Sequence, residues 1–263
     1  MNSIVQPNDH TPLTALRGKT SLKLAIMQPY FMPYVGYWQL LAAADRLIVL
    51  DDVTFIRRGW VNRNRILVNG AVHRFTIPVR QASQHRLIKD LDLAADAGWL
   101  ASFRATLMQS YRRAAYFEET LAFLEPVLAC CHGKMLPFLL FSIDAVTSHL
   151  GIHTPRTLAS MTDPEHRNGG QERILNLCQH EQASTYLNLP GGRALYDEQS
   201  FRHRGLHLQF IIPREQRYPQ GGRRWWPWLS IIDLLMHLGQ HGTRTELLRC
   251  DIEQPTQTQR WQA

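Results

Sequence analysis

The sequence predicts an α/β fold: a Rossmann-like, mostly parallel sheet with a β-hairpin and a helical insertion. Three observations carry that expectation. Short apolar runs of strand length alternate with helix-like stretches at both ends of the chain, an Asn-Gly pair separates two strand-like runs at Asn69-Gly70, and three segments between Trp99 and Leu150 repeat apolar residues at spacings of three and four.

The first run, Leu22 to Met27, stops at Gln28-Pro29, and the loop to Val35 leads into a stretch of helical composition from Gly36 to Ala44. Arg46 to Asp52 is a second buried-type strand ending in carboxylates, so strand, loop, helix and strand open a parallel sheet. Arg65–Val68 and His73–Val79 flank Asn69-Gly70, the strongest short hairpin signal. Helices are expected over Trp99–Tyr111, Phe117–Ala129 and Met135–Leu150, with Gly133 and Gly151 marking ends. Alternation then resumes. Strand Arg156–Ser160, helix Gln171–His180 and strand Ser184–Leu189 lead to Pro190-Gly191-Gly192. A short helix Glu198–Arg204, strand Leu206–Ile212, an Arg/Trp/Pro-rich loop and helix Ile231–Leu238 complete the pattern. One α/β domain is expected over 21–240, with its helical insertion near 96–150, between a polar N-terminal tail (1–20) and a C-terminal tail (241–263).

Composition narrows the class. With 263 residues and 44% hydrophobic content, the chain can bury a sizeable core, which argues against a disordered or fibrous protein. No run approaches the ~18 continuous apolar residues of a membrane helix. The four cysteines (Cys130, Cys131, Cys178, Cys250) form no C-x-x-C pair, and no secretory signal precedes the first strand, so a reduced, cytoplasmic setting is the expectation. The net charge of +7 is unevenly spread and almost wholly guanidinium, 25 Arg against four Lys. Val53 to Lys89 holds no acid and carries +8, Gln199 to Ile231 carries +5, and the rest of the chain is left at −6. Concentrated arginine suits an anionic ligand, because the planar fork grips phosphate or carboxylate. A GC-rich genome would also raise the arginine total.

Three segments hold the chemistry-bearing residues. In the loop from Gln28 to Tyr37, Tyr34-Val35-Gly36-Tyr37 has the spacing of the H-x-G-H signature of nucleotidyltransferases, with tyrosine at both histidine positions. A tyrosine stays neutral near pH 7 and donates a hydrogen bond without acting as an imidazolium would, so the likeness is topological. Loops at the carboxyl ends of parallel strands, running into helix N-termini, are where phosphates bind. Asp51-Asp52 could hold a ribose hydroxyl, serve as general base, or bind a magnesium ion together with substrate phosphate, and strand alternation sends only one of them into a site. Arg57-Arg58-Gly59-Trp60-Val61-Asn62-Arg63-Asn64-Arg65 combines a stacking plane, amides and anion forks, which suits a nucleotide, a sugar phosphate or single-stranded RNA.

Ile26 to Tyr37, Leu50-Asp51-Asp52-Val53 with Phe55, and Gly59 to Ile66 closely resemble the WbqC-like family. The likeness continues in Phe75–Val79, Ser184–Tyr196 with Gly191-Gly192, and Ser230–Leu235, and covers roughly Leu22 to Gly239. The family often carries Lys where this chain has Arg57, Arg58, Arg80 and Gln81, so only Gln81 loses the charge. The resemblance implies cytoplasmic work in surface-polysaccharide (O-antigen type) synthesis, with transfer of an acyl or aminoacyl group such as glycyl onto a nucleotide-linked amino sugar.

Other patterns are weaker. There is no H-E-x-x-H and no G-x-S-x-G, the pairs His149/His153 and His237/His241 each straddle a glycine expected to end a helix, and no residues form a metal-ligand set. Arg223-Arg224-Trp225-Trp226-Pro227-Trp228 reads as a partner surface or as a lid over a site. In the expected transferase, Arg57, Arg63 and Arg65 hold phosphate, and Trp60 and Tyr30 stack on base or sugar. Gln28, Asn62 and Asn64 read hydroxyls, while Tyr34, Gly36, Tyr37, Gly191 and Gly192 line the anion loops. Asp52 is the general base, with Asp51 and His73 in reserve. The rival readings are an RNA- or tRNA-binding protein and a noncatalytic sugar-nucleotide-binding subunit.

Overall fold

The structure, a computed structural model, describes residues 21–165, 168–214, 217–222 and 224–255. The expected N-terminal tail, Arg223 of the arginine/tryptophan loop and the end of the C-terminal tail from 256 lie outside the described residues. In chain order the strands are β1 (Lys23–Met27), β2 (Arg46–Val49), β3 (Arg63–Val68), β4 (Ala71–Thr76), β5 (Arg156–Leu158), β6 (Thr185–Asn188), β7 (His207–Pro213) and β8 (Cys250–Glu253). Six form one sheet in the order β5-β2-β1-β6-β7-β8, parallel except for β8, and β3-β4 stand apart as an antiparallel pair. Numbered along the chain within that sheet, the order is 3-2-1-4-5-6, the doubly wound arrangement, whose direction reverses between β1 and β6.

Pleat alternation divides the core. Leu24, Ile26, Ile48 and Tyr186 face one layer, where they pack with residues of α6 (Gly170–His180) and α7 (Glu198–His203). Ala25, Leu47, Val49 and Leu187 face the other, larger layer. That layer holds α1 (Val35–Ala43), the insertion helices α2 (Ala97–Tyr111), α3 (Phe117–Ala129) and α4 (Met135–Leu150), and α8 (Ile231–Leu247). Trp38, Leu40 and Leu41 bury α1 there, and Leu139, Ile143 and Val146 do the same for α4.

The mixed, mostly parallel architecture is as the sequence predicts, while several element boundaries differ: β2 stops at Val49 rather than Asp52, and β4 spans Ala71–Thr76 rather than His73–Val79. The strand expected over Arg156–Ser160 ends at Leu158, where a single turn, α5 (Ala159–Thr162), begins. α8 runs past Gly239 to Leu247 with a break at that residue (φ 64°, ψ −173°). A Cβ at Gly239 would lie 2.5 Å from the Tyr116 ring, so the helix bends where α3's approach passes through it. In the segment expected as a tail, β8 pairs antiparallel with β7 and closes that edge of the sheet. Among the described residues no helix is long and apolar enough to cross a membrane.

Candidate functional site

The crevice where strand order reverses is framed by Gln28 after β1 and by Asn188 to Gly192 after β6. The loop from Gln28 to Tyr34 is pinned to the hairpin that follows. Phe31 N–H donates to the Val61 carbonyl at 3.0 Å. The buried Asn64 amide and the buried Ser230 hydroxyl both donate to the Met32 carbonyl at 2.6 Å. Met32 is left-handed (φ 45°), and these two donors hold it there. Asn62 likewise donates to the Ile77 carbonyl at 2.7 Å. Both asparagines are thus engaged with backbone: Asn64 ties the loop to the hairpin, and Asn62 ties the hairpin's two ends together.

The hairpin turns through Asn69 (φ 52°) and Gly70 (φ 74°), as a two-residue loop with both residues left-handed does. Its register sets Arg65 opposite Arg74 and Arg63 opposite Thr76, so Arg63, Arg65 and Arg74 share one face, while His73 lies on the other with Phe75. Among the described residues no carboxylate pairs with any of these three arginines. Arg63 Nε donates to the Gly59 carbonyl at 2.9 Å, and Arg65 Nη2 to the Trp228 carbonyl at 2.9 Å. Burial, then the neighbouring charges of Arg74 and Arg58, pulls Arg63 below the usual guanidinium value, and burial and Arg74 do the same to Arg65. Trp60, 45% exposed, stands beside Arg65, whose guanidinium carbon is 5.4 Å from the ring centroid. Arg57 and Arg58 are exposed on the approach to β3, with Arg58 left-handed (φ 76°).

A tyrosine cluster adjoins this face. Tyr34 packs edge-on against Trp228 at 5.5 Å, and Tyr30 against Tyr37 at 5.8 Å. Tyr37 donates to the Gln28 carbonyl at 3.2 Å. Burial raises all three hydroxyls, Tyr34 to about 12, so they remain neutral donors. Gly36 is what admits the Tyr34 ring: a Cβ there would lie 2.5 Å from it. Gly192 similarly lies against Asn188, whose Nδ2 would be 2.4 Å from an added Cβ.

The carboxylates ending β2 face elsewhere. Asp51 accepts from Ser160 N–H (3.0 Å) and Ser160 Oγ (2.6 Å), which fastens α5 to the strand end. Asp52 forms a bidentate pair with Arg173 of α6 at 2.9 and 2.7 Å, the two side chains 5% and 3% exposed. The oxygens of both carboxylates are thus engaged by protein donors. The same engagement leaves them poorly suited to a magnesium ion. Among the described residues no group of three His, Cys, Asp or Glu side chains is placed to hold a metal.

Three of the six arginines of the second basic segment meet acids from outside it: Arg202 pairs with Glu198, Arg204 with Glu172 and Arg214 with Asp251. Its loop nevertheless reaches the first segment. Trp226 Nε1 donates to the Gly70 carbonyl at 3.0 Å, and Ser230 N–H donates to the Arg65 carbonyl at 2.8 Å along the outer edge of β3. The loop is anchored by a group that motif reading overlooks. Asp233, fully buried, accepts from Tyr111 (2.8 Å), Tyr218 (2.7 Å) and Gln220 (3.3 Å), and Gln220 also holds the backbone of Trp226. Burial raises the Asp233 carboxyl, against the lowering effect of its hydroxyl and amide donors. Arg74 had a readable signal: a two-residue turn at Asn69-Gly70 already sets residue 74 opposite 65.

Comparison with known proteins adds two findings. A model of the WbqC-like protein family matches residues 28–245. Uncharacterized protein Rv1507c from Mycobacterium tuberculosis is 32% identical over 220 residues, covering 82% of this chain and 94% of that protein. No solved structure matches.

Proposed function

The chain belongs to the WbqC-like protein family, which is associated with polysaccharide biosynthesis, and on that premise we propose that it is a cytoplasmic transferase of bacterial surface-polysaccharide synthesis. It moves an acyl or aminoacyl group onto an amino sugar carried by a nucleotide. The observation that supports this best is the face of Arg63, Arg65 and Arg74, without carboxylate partners among the described residues and bordered by half-exposed Trp60. Three like charges on one hairpin face repel, and a diphosphate relieves that repulsion while accepting the guanidinium forks. Trp60 offers its ring to a base, and the neutral hydroxyls of Tyr30 and Tyr34 are donors toward phosphate or sugar oxygens.

In this reading Asn62 and Asn64 hold the loop in place, and Asp51 and Asp52 anchor the end of β2. In the transfer itself the acceptor's amine nitrogen bonds to the carbonyl carbon of an activated ester or thioester. The donor's C–O or C–S bond breaks, and the amine proton goes to the departing group. Holding the two reactants together supplies much of the rate, since positioning alone is worth several kcal/mol, up to ~7–11 in favourable cases.

The test has two arms. Isothermal titration of UDP, dTDP and GDP and their sugar conjugates should give binding that weakens about tenfold or more in Arg65→Met and in Arg74→Met, the worth of one charge-assisted hydrogen bond. Incubation of nucleotide-linked amino sugars with activated acyl or aminoacyl donors should give an N-acylated product by mass spectrometry. Absence of nucleotide binding, with RNA bound instead in a steeply salt-dependent way, would replace this reading by the nucleic-acid one.

A further inference from the structure

Beneath the tip of the hairpin lies an open cavity of about 910 Å³, bordered by β3, the end of α2, the loop around Gln220 and α8. That volume falls in the range of small-molecule sites, ~300–1,000 Å³. It is lined by Asn69, Ser110, Arg112, Arg113 and His237, and by Gln220, whose amide is held by Asp233 and the Trp226 backbone. Hydroxyl, amide and guanidinium groups around an aromatic wall are the chemistry that recognises a hydroxylated ring bearing a negative group.

His237 is the distinctive member. It lies one helical turn beyond Asp233, and its ring packs edge-on against Tyr111 at 5.7 Å and tilted against Tyr218 at 6.2 Å, the two tyrosines that donate to Asp233. Neither ring nitrogen has a hydrogen-bond partner among the described residues. Burial lowers the imidazole from its ordinary value, partly offset by Asp233, so it is a neutral base with a free lone pair near pH 7. The cavity also continues the arginine face. Leu67, which lines it, shares the strand face of Arg63 and Arg65 and lies two residues, ~7 Å, further along β3.

We propose that this cavity is the sugar subsite of the groove, with His237 accepting a hydrogen bond from a ring hydroxyl or amino group of the sugar whose diphosphate lies on the arginine face, and in turnover taking the amine proton and passing it to the donor's departing group. The assignment rests on the nucleotide-sugar reading for the identity of its ligand. Asp233 is a positioning residue, because it touches Tyr111, Tyr218 and Gln220 and holds the wall on which His237 stands.

The experiment uses the full chain with isotope-labelled histidine and three probe pairs: UDP with UDP-glucosamine, dTDP with dTDP-glucose, and GDP with GDP-mannose. For at least one pair, the sugar conjugate should shift the His237 ring resonances while the bare nucleotide leaves them in place. His237→Gln should then weaken that conjugate about tenfold and leave the bare nucleotide's affinity unchanged. Nucleotide binding with no sugar-dependent shift at His237, and equal affinities in His237→Gln, would overturn the subsite alone. If neither nucleotides nor conjugates bind, the nucleotide-sugar reading falls, and the subsite with it. The resonance shift is measured in the unaltered protein, so a poorly folded variant does not leave the assignment undecided.

Discussion

Replacing Asp52 by Asn separates a structural carboxylate from a catalytic one. Asp52 and Arg173 bury 95% and 97% of their side chains by the exposures above and meet through two parallel hydrogen bonds of 2.9 and 2.7 Å. Asn preserves the shape and removes the charge, leaving the guanidinium dependent on Asp163, which Arg173 Nε reaches at 3.3 Å and which is itself 29% exposed. Breaking one side of a buried pair costs ~3–5 kcal/mol, and the residual Asp163 contact places Asp52→Asn near the lower end, ~3 kcal/mol. At ~2–4 °C per kcal/mol for a chain of this size, the melting temperature should fall by ~6–12 °C, which circular dichroism or scanning fluorimetry reads directly. Asp52→Leu combined with Arg173→Met should recover most of the loss, since an apolar pair of similar volume needs no compensating charge. A melting point within ~2 °C of the unaltered protein, together with abolished turnover and intact nucleotide binding, would refute this and return Asp52 to the role of general base.

Trp60→Ala should weaken nucleotide binding about tenfold, the scale of a lost base–aromatic stack, and leave the melting temperature nearly unchanged because the ring is already half exposed. Gly36→Ala places a methyl 2.5 Å from the Tyr34 ring, so the ring must leave Trp228; tryptophan fluorescence should change and nucleotide affinity should fall. His237 has a lowered folded-state value, so the unfolded chain takes up its proton first as pH falls. Stability from this group is therefore complete above its unfolded value of ~6.5 and is lost as pH drops from there toward the lower folded value. A pH series of melting temperatures should be flatter over that window in His237→Gln. Tyr111 and Tyr218, which pack on the ring, Asp233, whose charge acts on it, and Arg112 and Arg113, which line the same cavity, are common to both proteins.

Features written in neighbouring residues were the ones legible from sequence. Apolar spacing gave the three insertion helices to within two residues at each end, and Asn69-Gly70 gave the hairpin. What escaped was long-range partnership. Arg173, which pairs with Asp52, is 121 residues away, and Asn64 is committed to Met32 across 32 residues, contacts that no local motif encodes. β8 escaped for the same reason. Its four residues carry little strand signal of their own, and it is the open edge of β7 that orders them.

The two basic segments show how far charge can be read before folding. By counting, the first is acid-free and the second sets six arginines against a single acid, Glu215, yet folding treats them differently. Glu172 and Asp251 arrive from other elements, and Glu198 from one residue outside the counted window, and together they neutralise three arginines of the second segment. In the first, Arg86 meets Asp92, while the register set by a two-residue turn puts Arg63, Arg65 and Arg74 on one face. Unrelieved repulsion costs stability, and burial of Asn62, Asn64 and Ser230 under the same hairpin holds the arginines together against it. A general excess of arginine would not explain that placement. The second segment contributes by geometry, since Trp226 and Trp228 clasp the edge of the first, and Asp233 holds the clasp shut. It follows that Asp233→Asn, which keeps the hydrogen-bonding shape but removes the charge, should loosen the loop before it loosens the sheet. Hydrogen exchange should rise at Trp226 and Ser230 while the amides of β1 and β6 stay protected; equal protection at all four places would mean the loop is held by its tryptophans alone.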